Sequence, residues 1–357
     1  MNNQVRHGTG SPPEILLVGN FLSTIRGTRS VCEDLSEILE ARNWKIYRTS
    51  AQSNRVLRIV DMIATTVARR NAYQCASVDV FSGPAFFLAE VVCYTLRMIN
   101  RPYILTLHGG GLANFARQWQ RRVTMLLDSA AAVTTPSMFL KKELTGIRSD
   151  IHYVPNGLSV ADYSFRLRKK VSPNLAWLRA FHDIYDPLLA VRTIEQLRVD
   201  FPSIHLTMYG PDKCDGSLIR VRNYIARHGL ENCISIPGAI PKSKVPGALA
   251  RHDLFLNTTT LESFGVCVAE AAACGLPVVT TAVGELPFLY RDEEEILLVP
   301  QGDAEAMAAA VRRLLTEPEL AGKLAVNARK KVEQFDWSVV LPQWEALFVE
   351  VAGRQGK

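Results

Sequence analysis

Two glutamates bracket a short loop in the second half of the chain, in the stretch ESFGVCVAE from Glu262 to Glu270. Glu262 precedes a predicted helix and Glu270 lies more than one turn inside it, so the two carboxylates reach different parts of a bound ligand. Carboxylates accept hydrogen bonds from the vicinal hydroxyls of a sugar or a ribose. A structural interpretation stands beside this one: an acid that favours the helix dipole, followed by a surface glutamate.

The elements around this loop predict an anion site. The apolar run DLFLNTT at 253–259 is typical of a buried strand, and GVCVAEAAACG predicts a helix that ends at Gly275, with Pro277 just beyond. The first N–H groups of a helix have no intrahelical partner, and the helix dipole adds partial positive charge there. Gly265 lets a ligand approach the backbone. We therefore expect a phosphate at the helix tip, with hydroxyl-bearing groups on both sides.

The longer segment DLFLNTTTLESFGVCVAEAAACGLPVVTTAVGELPFL resembles the nucleotide-sugar half of family 4 glycosyltransferases, which are retaining enzymes of the GT-B architecture. The shared features are two glutamates separated by seven residues, an alanine-rich run, Gly-Leu-Pro-Val-Val and a glycine-containing turn. VPNGL (154–158) resembles the family's interdomain segment, and LVPQGDAEAMAAAV its closing loop and helix. FDWSVVLPQWEALF (335–348) resembles its last helix. The resemblance covers residues 150–348 well and the first half weakly.

The resemblance implies roles for individual residues of this segment. In the family, the first motif glutamate contacts hydroxyls of the donor sugar and the second holds the ribose, and these roles fall on Glu262 and Glu270. The backbone of Ser263, Phe264 and Gly265 is implied to hold the sugar or the diphosphate.

Arg179 follows the first predicted strand of the second half, where the family places an arginine that grips the diphosphate. The family's lysine, expected about five residues later, is absent, and Ile184 and Tyr185 stand there instead. Preorganised cations strongly stabilise the charge of such a leaving group. Either Arg179 and the helix tip suffice, or His182, Tyr185 or another cation compensates, or the activity is altered. A surface arginine at a strand end is the alternative interpretation of Arg179.

Two glycine-containing segments of the first half add candidates. In TLHGGG, His108 lies at a predicted strand end, where family members often carry a histidine near the donor sugar, and a neutral imidazole could hydrogen-bond a sugar hydroxyl. In IRGTR, Gly27 could bring the backbone near the leaving phosphate, and Arg26 and Arg29 are acceptor or phosphate candidates. A loop histidine without a ligand and a tight turn at Gly27 are the alternatives.

Strand–loop–helix patterns position these residues. They begin at EILLVGN (14–20) and restart after the charged segment 158–174. The predicted fold class is therefore α/β, with two doubly wound Rossmann-like domains facing across a cleft, as in GT-B enzymes. The predicted acceptor-side domain is 1–165, with a C-terminal helix at about 338–357 packing back on it, and the nucleotide-sugar domain is 166–337. Ligands of such sheets bind beyond the carboxyl ends of the strands.

The charge balance bears on partners. The net charge of the 357 residues is +6, and the first half is the basic half, which favours an anionic partner such as a phosphate or a membrane surface. FARQWQRRVTMLL (115–127) mixes apolar residues and arginines, so it predicts either a helix resting on an anionic membrane or a docked helix with a solvated basic edge. No signal peptide, membrane-spanning run or nucleic-acid module is recognisable. We expect a cytoplasmic protein, with peripheral contact at the inner membrane face as an option.

The seven cysteines are odd in number and form no Cys-x-x-Cys pair, which favours buried free thiols over a disulfide framework or a metal site. No metal-ligand cluster such as Asp-x-Asp stands out, so we expect no metal and no cofactor beyond the donor.

Together these features predict a retaining glycosyltransferase that moves a sugar from a nucleotide-sugar donor to a glycan or lipid-linked acceptor in polysaccharide or glycoconjugate synthesis. The habits of the family favour a UDP-sugar over a GDP-sugar. Three alternatives remain: a non-catalytic nucleotide-sugar-binding partner of a glycan assembly system, a nucleotide-sugar epimerase, and a phosphorylase of the same architecture.

Overall fold

A computed structural model describes residues 11–22 and 30–354. The candidates Arg26, Gly27 and Arg29 lie outside the described residues. The chain forms two compact units. The first comprises the chain up to Thr106 together with Arg121–Thr134 and the C-terminal part from Leu341, and the second comprises Leu107–Gln120 and Thr135–Val340. The domain bounds predicted from the sequence stay a prediction.

The first sheet has six strands in the order β2-β1-β3-β4-β5-β6. Its strands are β1 (Ile15–Val18), β2 (Ile46–Thr49), β3 (Cys75–Val80), β4 (Tyr103–Leu107), β5 (Ala132–Thr135) and β6 (His152–Tyr153). The helices along this part of the chain are α1 (Val31–Ala41), α2 (Arg55–Ala68), α3 (Pro84–Met98), α4 (Leu112–Gln118), α5 (Gln120–Asp128) and α6 (Met138–Leu144).

The second sheet also has six strands, in the order β12-β11-β10-β7-β8-β9. Its strands are β7 (Asn174–Leu178), β8 (His205–Tyr209), β9 (Ile234–Gly238), β10 (Leu254–Asn257), β11 (Val278–Thr281) and β12 (Leu297–Val299). The helices of this part are α7 (Pro187–Leu197), α8 (Ser217–His228), α9 (Val245–Leu249), α10 (Val266–Ala273), α11 (Leu286–Leu289), α12 (Ala304–Thr316), α13 (Pro318–Glu333) and α14 (Trp337–Gly353). The predicted α/β class with two sheets is confirmed.

Parallel pairing explains the apolar runs in the sequence. β1, β10 and β11 are buried at every position, because a strand covered by helices on both faces reads as continuous rather than alternating hydrophobicity. In the second sheet β10 pairs in parallel with both β7 and β11. The chain order reverses there, which is the point where a doubly wound sheet offers a crevice at its carboxyl edge.

The start of α7 and the end of α10 agree with the capping signals predicted from the sequence. Asp186 caps α7 by accepting from the Leu189 N–H at 3.1 Å, and Pro187 occupies its first turn. Gly275, which follows the C-cap residue Cys274 of α10, has φ +73°, a left-handed conformation that suits glycine.

Two predictions about elements were wrong. The single helix expected at 115–127 is divided into α4 and α5, with Trp119 leaving helical geometry between them. Its apolar residues Leu126 and Leu127 are buried in the core, so the membrane-facing interpretation of this stretch is wrong for them. In addition, β2, α2 and α13 were not predicted from the sequence.

The later part of helix α14 packs against Trp44 of the first unit. Trp44 Nε1 donates to Glu345 Oε1 at 3.3 Å, and the Trp44 ring lies 6.0 Å from that of Phe348. Trp344, one turn earlier on α14, stacks on Phe348 with ring centres 5.5 Å apart. These rings make the later part of α14 a member of the first unit's core.

Five of the seven cysteines are buried, Cys233 is half-buried and Cys214 is exposed, and all seven are free. In the part of the chain that the structure describes, no helix has both the length and the apolar character needed to cross a membrane.

Candidate functional site

Glu262 lies in the loop between β10 and α10, at the carboxyl edge of the second sheet. The residue is 7% exposed. Its Oε1 accepts from the backbone N–H groups of Ser263 (3.0 Å) and Phe264 (3.3 Å), and its Oε2 accepts from Arg179. The carboxylate is therefore turned onto its own loop and onto the arginine. The N–H groups of Ser263 and Phe264 already have an acceptor, so the backbone donors offered to a ligand begin at Gly265.

Arg179 directly follows β7 and is held by three neighbours. Besides the ion pair with Glu262, its Nε donates to Asn257 Oδ1 at 3.2 Å, and its guanidinium lies 5.0 Å from the centre of the Tyr185 ring. Burial works against the charged form, but Cys267, Glu262 and Tyr185 more than offset it, so the pKa of Arg179 lies above its ordinary value. The side chain is a permanent, oriented cation.

The segment around Ile184 and Tyr185, where the resemblance implies a lysine, is hydrogen-bonded to the loop before Glu262. The Ile184 carbonyl accepts from both the N–H (2.8 Å) and the hydroxyl (3.0 Å) of Thr260. Tyr185 supplies the ring beneath Arg179, and His182 Nδ1 accepts from the Ile184 N–H at 3.1 Å. This segment thus orients Arg179 without adding a cation of its own.

Helix α10 carries the second glutamate. Its N-cap, Gly265, has φ +90° and no side chain that could cap the helix. Glu270 is 4% exposed, and its Oε1 accepts from the hydroxyl of Tyr163 at 2.7 Å and from Lys242 Nζ at 2.5 Å. Each glutamate of the motif is therefore paired with one cation.

Lys242 was missed by the sequence reasoning. It lies in a short 3-10 turn, Lys242–Lys244, that follows β9 at the carboxyl edge of the same sheet. The signal that could have found it is its position: a lysine in the first loop after a parallel strand of the second sheet. Lys242 is a candidate for the cation that Ile184 and Tyr185 do not supply.

Two glycines let other loops approach the Glu262 loop. Gly284 has φ +54°, and a Cβ there would lie 2.0 Å from the Glu262 carbonyl oxygen. A Cβ at Gly110 would lie 2.7 Å from Leu261 Cδ1. The glycine run after β4 thus packs beside the motif, and His108, at the end of β4, stands two residues before that contact. A ligand contact of His108 stays a prediction.

Phe264 contributes packing rather than a contact surface. Its side chain is 3% exposed and meets the Phe335 ring edge-on, with ring centres 5.2 Å apart. A donor can meet this residue only through its backbone. Gly265, Tyr185 and two ion pairs lie together around the start of α10. The ion pairs are Arg179–Glu262 and Lys242–Glu270.

Glu285, next to Gly284, ties the motif to α6. Its N–H donates to the Glu262 carbonyl at 3.1 Å, and its Oε2 accepts from Ser137 Oγ (2.7 Å) and the Phe139 N–H (2.8 Å). The side chain is fully buried, and burial raises the pKa of its carboxyl.

Within the described residues, no group of three or more His, Cys, Asp or Glu side chains is arranged to hold a metal ion. The site instead offers two cations, two carboxylates and a helix N-terminus, which together suit a ligand that combines phosphates with hydroxyls.

Comparisons with known proteins agree with this description. The glycosyl transferases group 1 family matches residues 173–317, which contain Arg179, Lys242 and both glutamates of the motif. A phosphatidylinositol N-acetylglucosaminyltransferase component of Arabidopsis thaliana is 28% identical over 162 residues, which are 45% of this chain and 34% of that protein. Matches to two further curated relatives cover 17% and 18% of their lengths, so the chain spans about a third or less of these proteins.

Solved structures show the fold. Sucrose-phosphate synthase from Thermosynechococcus elongatus matches with a TM-score of 0.80 at 17% identity, over 96% of this chain and 100% of that chain. Anabaena Alr3699/HepE, solved in complex with UDP and glucose, matches with a TM-score of 0.76 at 17% identity, over 95% and 100%. The resemblance noted in the sequence is thereby confirmed: residues 173–317 match the glycosyl transferases group 1 family, and the two-sheet α/β fold is the GT-B architecture.

Proposed function

We propose that this protein is a retaining glycosyltransferase that moves a sugar from a nucleotide-sugar donor to a glycan or lipid-linked acceptor. The observation that carries this proposal is the pair of charge clusters around the start of α10: Arg179 with Glu262 before the helix, and Lys242 with Glu270 inside it. The proposal places the protein in the cytoplasm, with peripheral attachment to the membrane.

The diphosphate of the donor would lie at the N-terminus of α10, where helix N–H groups from Gly265 onward and Arg179 offer positive charge. Lys242 would supply the second cation in place of the absent lysine. Glu270 would then accept from a ribose hydroxyl, and Glu262 would meet hydroxyls of the transferred sugar. UDP is the favoured nucleotide, on the habits of the family and on the likeness in fold to HepE, which was solved with UDP-glucose.

In the proposed reaction the acceptor oxygen forms a bond to the anomeric carbon while the bond from that carbon to the diphosphate oxygen breaks. The acceptor's proton passes to the departing nucleoside diphosphate, so no protein nucleophile is needed. The protein contributes positioning and stabilisation of the charge that develops on the leaving group. With two cations and a helix tip on that charge, the proposal requires no metal, and a chelator should leave the transfer rate unchanged.

A thermal-shift panel of UDP-, GDP- and ADP-sugars tests the donor site. A ligand at one hundred times its dissociation constant should add about 2.7 kcal/mol to the free energy of unfolding. Arg179→Ala and Glu270→Ala should abolish the response, whereas Glu293→Ala, on the exposed surface of the same unit, should keep it. No response to any nucleotide would contradict the proposal.

The reaction products formed from the donor distinguish the proposed transferase from the alternative functions. Slow hydrolysis of the donor without acceptor, lost in Glu262→Ala and giving sugar of unchanged anomeric configuration by NMR, is the expected result. Binding without turnover would indicate a non-catalytic nucleotide-sugar protein, and release of an isomerised donor would indicate an epimerase. Phosphate-dependent release of sugar 1-phosphate would indicate a phosphorylase.

A further inference from the structure

Tyr163 is a buried residue in direct contact with the glutamate inside α10. It follows the 3-10 turn Val160–Asp162 and is 4% exposed. Its ring packs in the apolar cluster of the second unit that also contains Phe264 and Val268. Its hydroxyl donates to Glu270 Oε1 at 2.7 Å. A residue outside the glutamate motif therefore takes part in holding that motif.

The hydrogen bonds on Glu270 are divided unevenly between its two oxygens. Oε1 accepts from both the Tyr163 hydroxyl and Lys242 Nζ, at 2.7 and 2.5 Å. Among the described residues, no side chain or backbone group donates to Oε2. Each carboxylate oxygen has two acceptor positions, so Oε2 retains its full capacity to accept hydrogen bonds from the hydroxyls of a ligand.

The two donors to Oε1 differ in how firmly they are held. The side chain of Lys242 is 38% exposed, and lysine is a flexible chain with a mobile charge at its end. In the function proposed above, Lys242 meets the diphosphate of the donor. Tyr163 is buried and rigid, with few side-chain rotamers. It is therefore the donor that still holds Glu270 Oε1 when the ammonium of Lys242 meets a phosphate.

The Tyr163 hydroxyl remains a donor over a wide pH range. Burial, followed by the negative charge of Glu270, raises the pKa of Tyr163 far above its ordinary value. The phenol thus keeps its proton at every pH at which a transferase would be assayed. Glu270 receives a hydrogen bond that does not titrate away.

The backbone of Tyr163 is attached to the same helix as Glu270. Arg329 Nη1 donates to the Tyr163 carbonyl at 3.1 Å and to the Ala273 carbonyl, in the last residue of α10, at 2.7 Å. One guanidinium therefore bridges the Tyr163 segment and the end of α10. This bridge keeps the phenol and the Glu270 carboxylate in a constant relative position, as preorganised recognition requires.

We propose that Tyr163 is a positioning residue that makes this site select a ribonucleoside diphosphate. Its hydroxyl holds one oxygen of Glu270, so that the other oxygen faces the ribose hydroxyls of the nucleotide. The inference rests on the donor site of the proposed function. It assigns part of the selectivity for ribose to a residue that does not touch the nucleotide.

Calorimetry with UDP and with 2′,3′-dideoxy-UDP, which lacks both ribose hydroxyls, tests this role. The unchanged protein should bind UDP about 10-fold or more tightly than the dideoxy nucleotide, as a hydrogen bond to a charged group predicts. Tyr163→Phe removes only the hydroxyl. It should weaken UDP binding about threefold or more and leave the affinity for the dideoxy nucleotide unchanged. A merely structural effect would weaken the binding of both nucleotides alike.

Tyr290→Phe is the matched control. Tyr290 belongs to the same apolar cluster and is 2% exposed, and its buried hydroxyl has no hydrogen-bond partner among the described residues. This variant should keep the preference of the unchanged protein for UDP. A second comparison uses Glu270→Gln, in which adding Tyr163→Phe should cause no further loss of preference, because both changes act through one carboxylate.

Three outcomes would overturn the inference. The first is a Tyr163→Phe variant that keeps the full preference for UDP, and the second is an equal loss of affinity for both nucleotides. The third is a Tyr163→Phe effect that adds fully to that of Glu270→Gln. If the unchanged protein binds neither nucleotide, the proposed function fails and this inference fails with it. If it binds UDP with a ribose preference that Tyr163→Phe does not change, only this inference fails.

Discussion

Arg179 is held by neighbours of three chemistries: the carboxylate of Glu262, the amide oxygen of Asn257 and the ring of Tyr185. A guanidinium oriented in this way loses little side-chain entropy when it meets a phosphate. Tyr185 stands where the resemblance implies a lysine. It therefore contributes by orienting Arg179 rather than by adding a positive charge.

The buried ion pair of Arg179 and Glu262 should contribute measurably to the free energy of unfolding. Arg179→Met or Glu262→Gln alone should lower the free energy of unfolding by about 3–5 kcal/mol, because each leaves a buried charge without its partner. The double variant should cost clearly less than the sum of the single changes. Chemical denaturation of the four proteins measures this coupling.

A control for the pair is available on the surface of the same unit. Arg313 and Glu293 form an ion pair at 2.5 Å with both side chains about half exposed, so breaking it should cost about 0.2–1 kcal/mol. Equal costs for the two pairs, or strict additivity at Arg179 and Glu262, would contradict the buried-pair argument.

Lys242 is predicted to act on the nucleotide. If its ammonium contacts the diphosphate, Lys242→Met should weaken UDP binding about 10- to 100-fold, the range for a hydrogen bond to a charged group. Isothermal calorimetry measures the affinity, and Lys244→Met, two residues away and exposed, is the matched control. A variant that loses stability but keeps its UDP affinity would show that Lys242 serves only to satisfy Glu270.

At the scale of elements, three loops at the carboxyl edges of β4, β10 and β11 converge on the motif. Gly110 and Gly284 permit this, since a side chain at either would collide with the Leu261–Glu262 segment. The Glu285 N–H adds a bond of 3.1 Å to the Glu262 carbonyl. The position of Glu262 is thus decided by loops distant in sequence.

Gly284→Ala should therefore strain the backbone at residue 284 and also displace the loop that contains Glu262. It forces a side chain into the left-handed region and places a Cβ against the Glu262 carbonyl. We expect a lowered melting temperature and a loss of UDP binding. Gly302→Ala is the control, because Gly302 also has a positive φ, +75°, but a Cβ there meets nothing within 4 Å. It should lower the melting temperature alone; if both variants bind UDP equally well, the loop contact is not needed for binding.

At the scale of the whole molecule, the buried Glu285 should shape the pH dependence of stability. Burial raises the pKa of its carboxyl above the ordinary value of 4.5. Between that value and the folded-state pKa, the folded protein retains a proton that the unfolded chain has lost. The free energy of unfolding contributed by Glu285 therefore falls as the pH rises through this window.

Glu285→Gln removes this titration while keeping an oxygen for Ser137 and Phe139. Relative to the unchanged protein, the variant should gain stability as the pH rises above 4.5, as measured by calorimetric melting at several pH values. Melting curves that shift in parallel across this range would show that the buried carboxyl does not titrate as its burial predicts.

The sequence by itself determined the class of fold and the core of the candidate site. Continuous apolar runs, helix caps and glycine stops are local signals, so β1, β10, α7 and α10 could be predicted from their own residues. The motif with Glu262 and Glu270 is also local, because one loop and the helix after it contain both carboxylates. Arg179 was identified because the resemblance places an arginine directly after the first predicted strand of the second half.

Tertiary structure alone decided which charges meet. Lys242 and Glu270 are 28 positions apart and Arg179 and Glu262 are 83 apart, and only the strand order of the second sheet brings their loops to one edge. Likewise, the sequence did not predict α2, and only its packing beside α3 shows that the two helices line a cavity. Local patterns fix elements, whereas contacts between distant loops depend on the order in which parallel strands pair.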